Sequence, residues 1–226
     1  MRRILLVCTG NTCRSPMAES ILLALAAERG LPLEIRSAGV AAVDGMPPSA
    51  HAVEAMRRKN YPEPKPSRSL KPGDIEWADL ILAMTTGHKQ TILHRHPEAV
   101  GKTYTLKEFA FVGQEALAEA AEAASLHAER QMREALGGSL TEEQRKRLAE
   151  LERKWPDFDV ADPFGGPLDL YEQSAREIEE ALRAALDRLS GGDEPADEAR
   201  SGSADKPAPG PDEPRDTPAD GTRNES

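Results

Sequence analysis

Cysteine is scarce in this chain of 226 residues: Cys8 and Cys13 are the two it has, both in one short stretch near the start. None is left over for a disulfide framework joining distant segments. Aromatic residues are few, at 4%, while 30% of residues are charged, so the whole chain is not core. Long hydrophobic runs are missing as well. The run that follows Arg2 and Arg3 is only Ile4-Leu5-Leu6-Val7, with no processing site after it, and a membrane span needs about 20 apolar residues. No membrane partner is expected, and cytoplasmic residence is the default. A basic surplus is absent too, because 29 Lys and Arg face 39 Asp and Glu, for a net charge of −10. Residues 190–226 hold ten acidic and four basic residues, a local −6 that leaves −4 for the remainder. That balance argues against a nucleic-acid partner read through a broad basic surface.

What the sequence does have is Val7-Cys8-Thr9-Gly10-Asn11-Thr12-Cys13-Arg14-Ser15-Pro16, set between an apolar run and a helical pattern over 17–28. Cys, five residues, then Arg, between strand and helix, makes a tight loop whose backbone N–H groups can converge on one anion. The helix N-terminus adds partial positive charge there. The same field favours the thiolate form of Cys8, the nucleophilic form. Thr9, Gly10, Asn11, Thr12, Cys13, Arg14 and Ser15 are therefore the candidate phosphate-binding residues.

The rest of the chain predicts a doubly wound α/β domain over residues 1–189. Strands are expected at 4–7, 33–37, 80–84 and 103–106, and helices at 17–28, 47–60, 75–78 and from 86 to 94. Gly30 is a plausible C-cap for the first helix. The order β-α-β-α-β-α-β points to a four-stranded parallel sheet with helices on both faces, whose ligands sit at the carboxyl ends of strands. Residues 114–155 break that rhythm. They are rich in Ala, Glu, Leu and Arg around Gly137-Gly138-Ser139 and read as an inserted helical hairpin. Its second arm starts near Thr141 and carries Leu140, Leu148, Leu151 and Trp155 on one side. The stretch 159–166 is loop, and 168–189 is an amphipathic helix offering Leu170, Ile178, Leu182, Leu186 and Leu189 to the core. Residues 190–226 have no aliphatic side chain larger than Ala and read as a disordered acidic tail.

Cys8 is the expected nucleophile, forming a phosphocysteine. Arg14 is suited to grip two phosphoryl oxygens through its planar fork, which Lys could not match. Asn11 tolerates an unusual backbone in mid-loop, and Ser15 can donate to the Cys8 thiolate. The departing group needs a proton, hence a general acid within reach. His51, His88, His94, His96 and His127 sit in helical or connecting stretches without a catalytic pattern and read as surface or capping residues. Asp162 is better placed, because Pro163 keeps it out of a helix and Gly165-Gly166 allows close approach to a substrate. This chemistry asks for no metal or cofactor.

These residues resemble the low-molecular-weight protein tyrosine phosphatases. The likeness rests on Cys8 to Ser15, Ser37-Ala38-Gly39, the run 78–84 and Asp162-Pro163-Phe164. Thr12, His88-Lys89, residues 105–109 and residues 162–166 make it similar to the protein arginine phosphatase branch of that family. The resemblance implies Cys8 as nucleophile, Arg14 as phosphate ligand, and Asp162 as acid and then base for water, with phosphorylated proteins as partners. Tyrosine-specific relatives usually carry an apolar residue where this chain has Thr12, so Thr12 is the expected specificity residue, favouring a thin polar guanidinium over a phenyl ring. Cys13 could protect Cys8 through a reversible disulfide. Three alternatives remain: a tyrosine phosphatase, arsenate reduction, for which no further relay cysteine is present, and a phosphoprotein-binding or scaffolding module. The insertion at 114–155 departs from the family's brief connection.

Overall fold

The computed structural model describes residues 2–111, 114–154 and 158–190. Four strands, β1 (Arg2–Cys8), β2 (Leu33–Gly39), β3 (Leu80–Ala83) and β4 (Thr103–Thr105), form one parallel sheet in the order β2-β1-β3-β4. Around it lie α1 (Arg14–Glu28), α2 (Ala50–Arg58), α3 (Pro72–Trp77), α4 (Thr86–Arg95), α5 (Leu106–Phe111) and α8 (Leu168–Ser190), while α6 (Gln114–Ala135) and α7 (Glu142–Lys154) make the insertion.

The unbroken apolar run of β1 reflects burial on both faces. Side chains alternate across a strand. Ile4, Leu6 and Cys8 share a core with Met17, Ile21 and Leu25 of α1 and with Ile178, Leu182 and Leu186 of α8. Leu5 and Val7 point the other way, toward Ile75 of α3 and Ile92 of α4. The chain leaves β1 toward β2 on one side, then crosses to β3 on the other. The gap between the ends of β1 and β3 is therefore the topological switch point, where ligands of such sheets bind. Cys8 closes β1 at that gap, opposite Gly39 in the register.

The expected elements are present with shifted ends. α1 starts at Arg14 rather than Met17, because the last residues of the loop already wind into it, and it stops at Gly30 (φ +64°). Gly30 N–H reaches Ala27 O at 3.2 Å and Leu31 N–H reaches Ala26 O at 2.9 Å, closing the helix as a glycine C-cap does. Ser190 belongs to α8, not to the tail; the rest of the proposed tail, from residue 191, lies outside the described residues, as does Trp155.

The insertion is a pair of helices whose turn uses Gly137 at φ +75°. Thr141 and Gln144 form a reciprocal cap, with Gln144 N–H on Thr141 Oγ1 (3.2 Å) and Thr141 N–H on Gln144 Oε1 (3.1 Å). Leu140, Leu148 and Leu151 are buried, and Arg147 to Glu122 (2.7 Å) ties the arms together.

Leu170 corrects the expected core list. It is 42% exposed, whereas Tyr171, Ser174 and Ala175 occupy the buried stripe that leads to Ile178. At 100° per residue, Leu170 falls just outside the arc bounded by Ala181 and Leu186, within which all the buried residues of α8 lie.

Candidate active site

The loop after β1 is held open around the Cys8 sulfur by its own backbone. Asn11 adopts φ +52°, a left-handed conformation that Asn accepts more readily than most residues. Its N–H points to Cys8 Sγ at 3.3 Å. Neighbouring segments fix the loop from outside. Val40 N–H and Ala41 N–H donate to Cys8 O and Thr9 O, both at 3.0 Å, and Ser49 N–H donates to Thr12 O at 2.8 Å. Gly39 is required here, because a Cβ on it would lie 2.5 Å from Thr9 O and 3.0 Å from Asn11 N.

Proton counting gives the polar network behind the loop a direction. Asn11 Oδ1 accepts from Arg68 N–H at 2.7 Å, which orients the amide. Asn11 Nδ2 then donates to Ser15 Oγ (2.8 Å) and Ser37 Oγ (2.9 Å). Ser37 donates its hydroxyl hydrogen bond to buried Glu19 at 2.6 Å, and Lys65 pairs with the same carboxylate at 2.6 Å. Ser15 is left to donate to Cys8 Sγ, 2.9 Å away, with Ala38 O a poorer acceptor at 3.5 Å. A hydroxyl donor aimed at sulfur stabilises thiolate.

Arg14 and Ser15 open α1, so their N–H groups have no intrahelical partner. The Arg14 side chain is buried, with Nη1 on Val160 O (3.2 Å) and Nη2 on Asp162 Oδ2 (2.8 Å). Its Nε is buried with no partner among the described residues. That donor, beside a carboxylate that can be displaced, fits a phosphoryl group. Asp162 has a half-exposed side chain, and its Oδ1 also accepts from Phe164 N–H (3.1 Å), a local turn that aims Oδ2 at Arg14. The structure thus brings Cys8, Arg14 and Asp162 to one place across 148 residues of sequence between Arg14 and Asp162. Thr12 is half-buried, with Oγ1 3.6 Å from Cys13 Sγ. Gly10 lies in mid-loop, and Thr9 is exposed toward the cleft. Both cysteines are free; Cys13 Sγ is 3.4 Å from Tyr171 OH.

The cleft beside the loop has a volume of about 470 Å³ and includes Arg14, Asp162, His88, Lys107, Asp159 and Glu177 in its walls. His88 corrects the reading of the histidines as surface or capping residues. It is 7% exposed, with Nε2 2.7 Å from Thr9 Oγ1 and Nδ1 2.8 Å from Thr85 Oγ1. Burial, reinforced by the Arg14 charge and opposed by Asp159 and Asp162, pushes its imidazole down to about 4. A signal was available: Thr85 is the N-cap of a helix that starts where β3 ends, so a residue three positions on faces the switch point.

Lys107, Asp159 and Glu177 were also not anticipated. Lys107 Nζ bonds Asp159 O (2.7 Å) and pairs with Glu177 (3.0 Å), while Asp159 Oδ1 accepts Thr86 N–H at 2.7 Å. Together with Val160 N–H on Met84 O (2.8 Å), these contacts anchor the segment that carries Asp162. Lys89 pairs with buried Glu108 at 2.8 Å. Two of the segments behind the narrower resemblance, 88–89 and 105–109, are thus tied to each other. Among the described residues, no cluster of three or more His, Cys, Asp or Glu could hold a metal ion, and no helix is long and apolar enough to cross a membrane.

Comparison with known proteins agrees with this geometry. The profile of the low molecular weight phosphotyrosine protein phosphatase family matches residues 3–122. The chain belongs to that family. It is 36% identical over 188 residues to the protein-arginine-phosphatase of Geobacillus stearothermophilus, covering 83% of this chain and 95% of that one. It is 31% identical over 176 residues to the low molecular weight protein-tyrosine-phosphatase PtpB of Staphylococcus haemolyticus, covering 78% and 91%. The solved YwlE arginine phosphatase from Geobacillus stearothermophilus superposes with a TM-score of 0.61 at 34% identity, covering 84% of this chain and 94% of that one. A mutant YwlE arginine phosphatase with a phosphorylated active-site serine is similarly close, at a TM-score of 0.62 and 34% identity, covering 84% and 97%. The four-stranded parallel sheet described above is the fold that matches these structures.

Proposed function

We propose that this chain hydrolyses phosphoarginine in proteins through a phosphocysteine intermediate. The Cys8 thiolate attacks phosphorus in line while Arg14 and the loop N–H groups hold the equatorial oxygens; the P–N bond breaks, and the Asp162 carboxyl protonates the departing guanidine nitrogen. Asp162, now a carboxylate, takes a proton from water, which attacks phosphorus and breaks the S–P bond. Ser15 receives the restored thiolate through the hydrogen bond it already makes at 2.9 Å. Preorganised donors around the developing charge supply most of the acceleration. The incoming phosphoryl group replaces the Asp162 carboxylate on Arg14, and the freed carboxylate takes up a proton from solvent, the one it delivers to the leaving nitrogen. Its partners are phosphorylated proteins rather than nucleic acid, in keeping with the net charge of −10. With both of its cysteines in one loop and none for a disulfide framework, the chain suits a reducing compartment, and we place the protein in the cytoplasm.

Thr12 carries the choice of arginine over tyrosine. It stands half-buried in the loop, polar where the tyrosine-specific resemblance has an apolar residue, and the protein-arginine-phosphatase relative is more similar than the tyrosine phosphatase one. The alternative reading is a tyrosine phosphatase, which the family description itself names. Turnover of phosphoarginine and phosphotyrosine by wild type and Thr12→Ile separates the two. Wild type is expected to prefer phosphoarginine by at least about tenfold, and Thr12→Ile to shift the ratio toward phosphotyrosine, since one altered pocket contact is worth roughly ten- to two-hundredfold. A wild-type preference for phosphotyrosine by an order of magnitude refutes the assignment.

A further inference from the structure

Both ring nitrogens of buried His88 end on threonine hydroxyls, one of them in the loop next to the nucleophile. Thr85 Oγ1 accepts from the His88 backbone N–H at 3.2 Å as the N-cap of α4. Its own hydroxyl proton still needs an acceptor, and among the described residues that acceptor is His88 Nδ1, 2.8 Å away. With Nδ1 accepting, the single proton of a neutral imidazole sits on Nε2 and is donated to Thr9 Oγ1 at 2.7 Å. The proton of the Thr9 hydroxyl is then turned away from the histidine. Thr9 is exposed and shares the cleft wall with Arg14 and Asp162.

We infer that His88 is a positioning residue: the chain Thr85–His88–Thr9 fixes the Thr9 hydroxyl as a donor toward a phosphoryl oxygen of the substrate. The inference rests on the reading of the Cys8 loop as a phosphate site. It assigns Thr9 a side-chain role besides its place in the loop, and it makes a residue of α4 part of the oxyanion-binding apparatus. The surroundings keep the relay in one state. The charges that reach the ring are Arg14 from α1 and Asp159 and Asp162 from the loop before α8, and burial with Arg14 outweighs the two carboxylates. The imidazole therefore stays neutral through the range in which a free histidine titrates.

Two measurements on the full chain test this. In nitrogen NMR of histidine-labelled wild type, the His88 ring is expected in the Nε2–H form, without titrating between about pH 5.5 and 8. An Nδ1–H ring, or one that titrates near its ordinary value, overturns the relay, because the Thr9 proton would then point at the imidazole. Inhibition by inorganic phosphate supplies the functional readout. Thr9→Val and His88→Gln are each expected to weaken it about tenfold or more, the worth of one hydrogen bond to a charged group. The double variant is expected to be no weaker than Thr9→Val alone, whereas losses that multiply show independent roles and overturn the inference. Should His88→Gln fail to fold, the wild-type tautomer and Thr9→Val still decide. Wild type that binds phosphate while Thr9→Val binds it equally well refutes the relay and leaves the phosphatase reading intact; wild type that neither binds phosphate nor hydrolyses a phosphorylated substrate removes the reading beneath it.

Discussion

Gly39→Ala is the most direct probe of how the loop is held. A methyl group there would stand 2.5 Å from Thr9 O, 2.7 Å from Ala42 Cβ and 3.0 Å from Asn11 N. Ordinary carbon contacts are about 3.5–4.0 Å, so the shortest of these falls roughly 1 Å short. Backbone atoms, not the ends of flexible side chains, are what the methyl meets on the loop side. β2 cannot retreat, because Gly39 is paired with Cys8 in the sheet and its N–H is bonded to Arg68 O at 2.8 Å. The loop must give, and with it the N–H groups that face Cys8. Displacing preorganised catalytic groups by about 1 Å costs on the order of a hundredfold in rate, which is about 2.7 kcal/mol of transition-state stabilisation. Overpacking should also lower stability by about 1–3 kcal/mol. The assay pairs kcat/KM on a phosphorylated substrate with a thermal melt. Expected is a folded protein, with a somewhat lower Tm and kcat/KM down about a hundredfold. A folded variant within threefold of wild type refutes the claim that Gly39 sets the loop.

Two further predictions address the groups above and beside the sulfur. Asp162→Asn should lower kcat by about a hundredfold or more, as loss of a general acid does, with a smaller loss on an activated aryl phosphate whose leaving group needs no proton. The same variant should bind inorganic phosphate a few-fold more tightly, because the half-exposed ion pair competing for Arg14 is worth at most about 1 kcal/mol; equal losses on both substrates would mean that Asp162 is not the acid. Cys13→Ser tests redox protection: peroxide converts Cys8 to a sulfenic acid, the Cys13 thiol condenses with it to a disulfide and releases water, and added thiol restores both cysteines. Recovery of Cys13→Ser as complete as that of wild type rules the protection out.

What could be read from the sequence follows how local each signal is. The loop was legible because its parts are contiguous: an apolar run, a Cys and an Arg at fixed spacing, and a helix start at Pro16, which sits in the first turn as expected. The helical hairpin was legible for the same reason, through Thr141 and Gln144 as a cap and Gly137 as a turn. Asp162 could be proposed from chemistry, since a thiolate nucleophile needs an acid, but its 2.8 Å contact with Arg14 is set by the packing of distant segments. Leu170 went wrong because apolar identity was counted without its angle around the helix. His88 went wrong for a different reason. Its neighbours in sequence are those of a surface helix, and nothing local shows that the first turn of α4 abuts the loop after β1. That contact comes from topology: β3 pairs directly with β1, so whatever follows β3 meets whatever follows β1. The same rule, taken from strand order alone, draws Thr85 and His88 into the site. The first helical turn after the strand that pairs with the nucleophile's own strand is where a hidden partner of this loop should be sought.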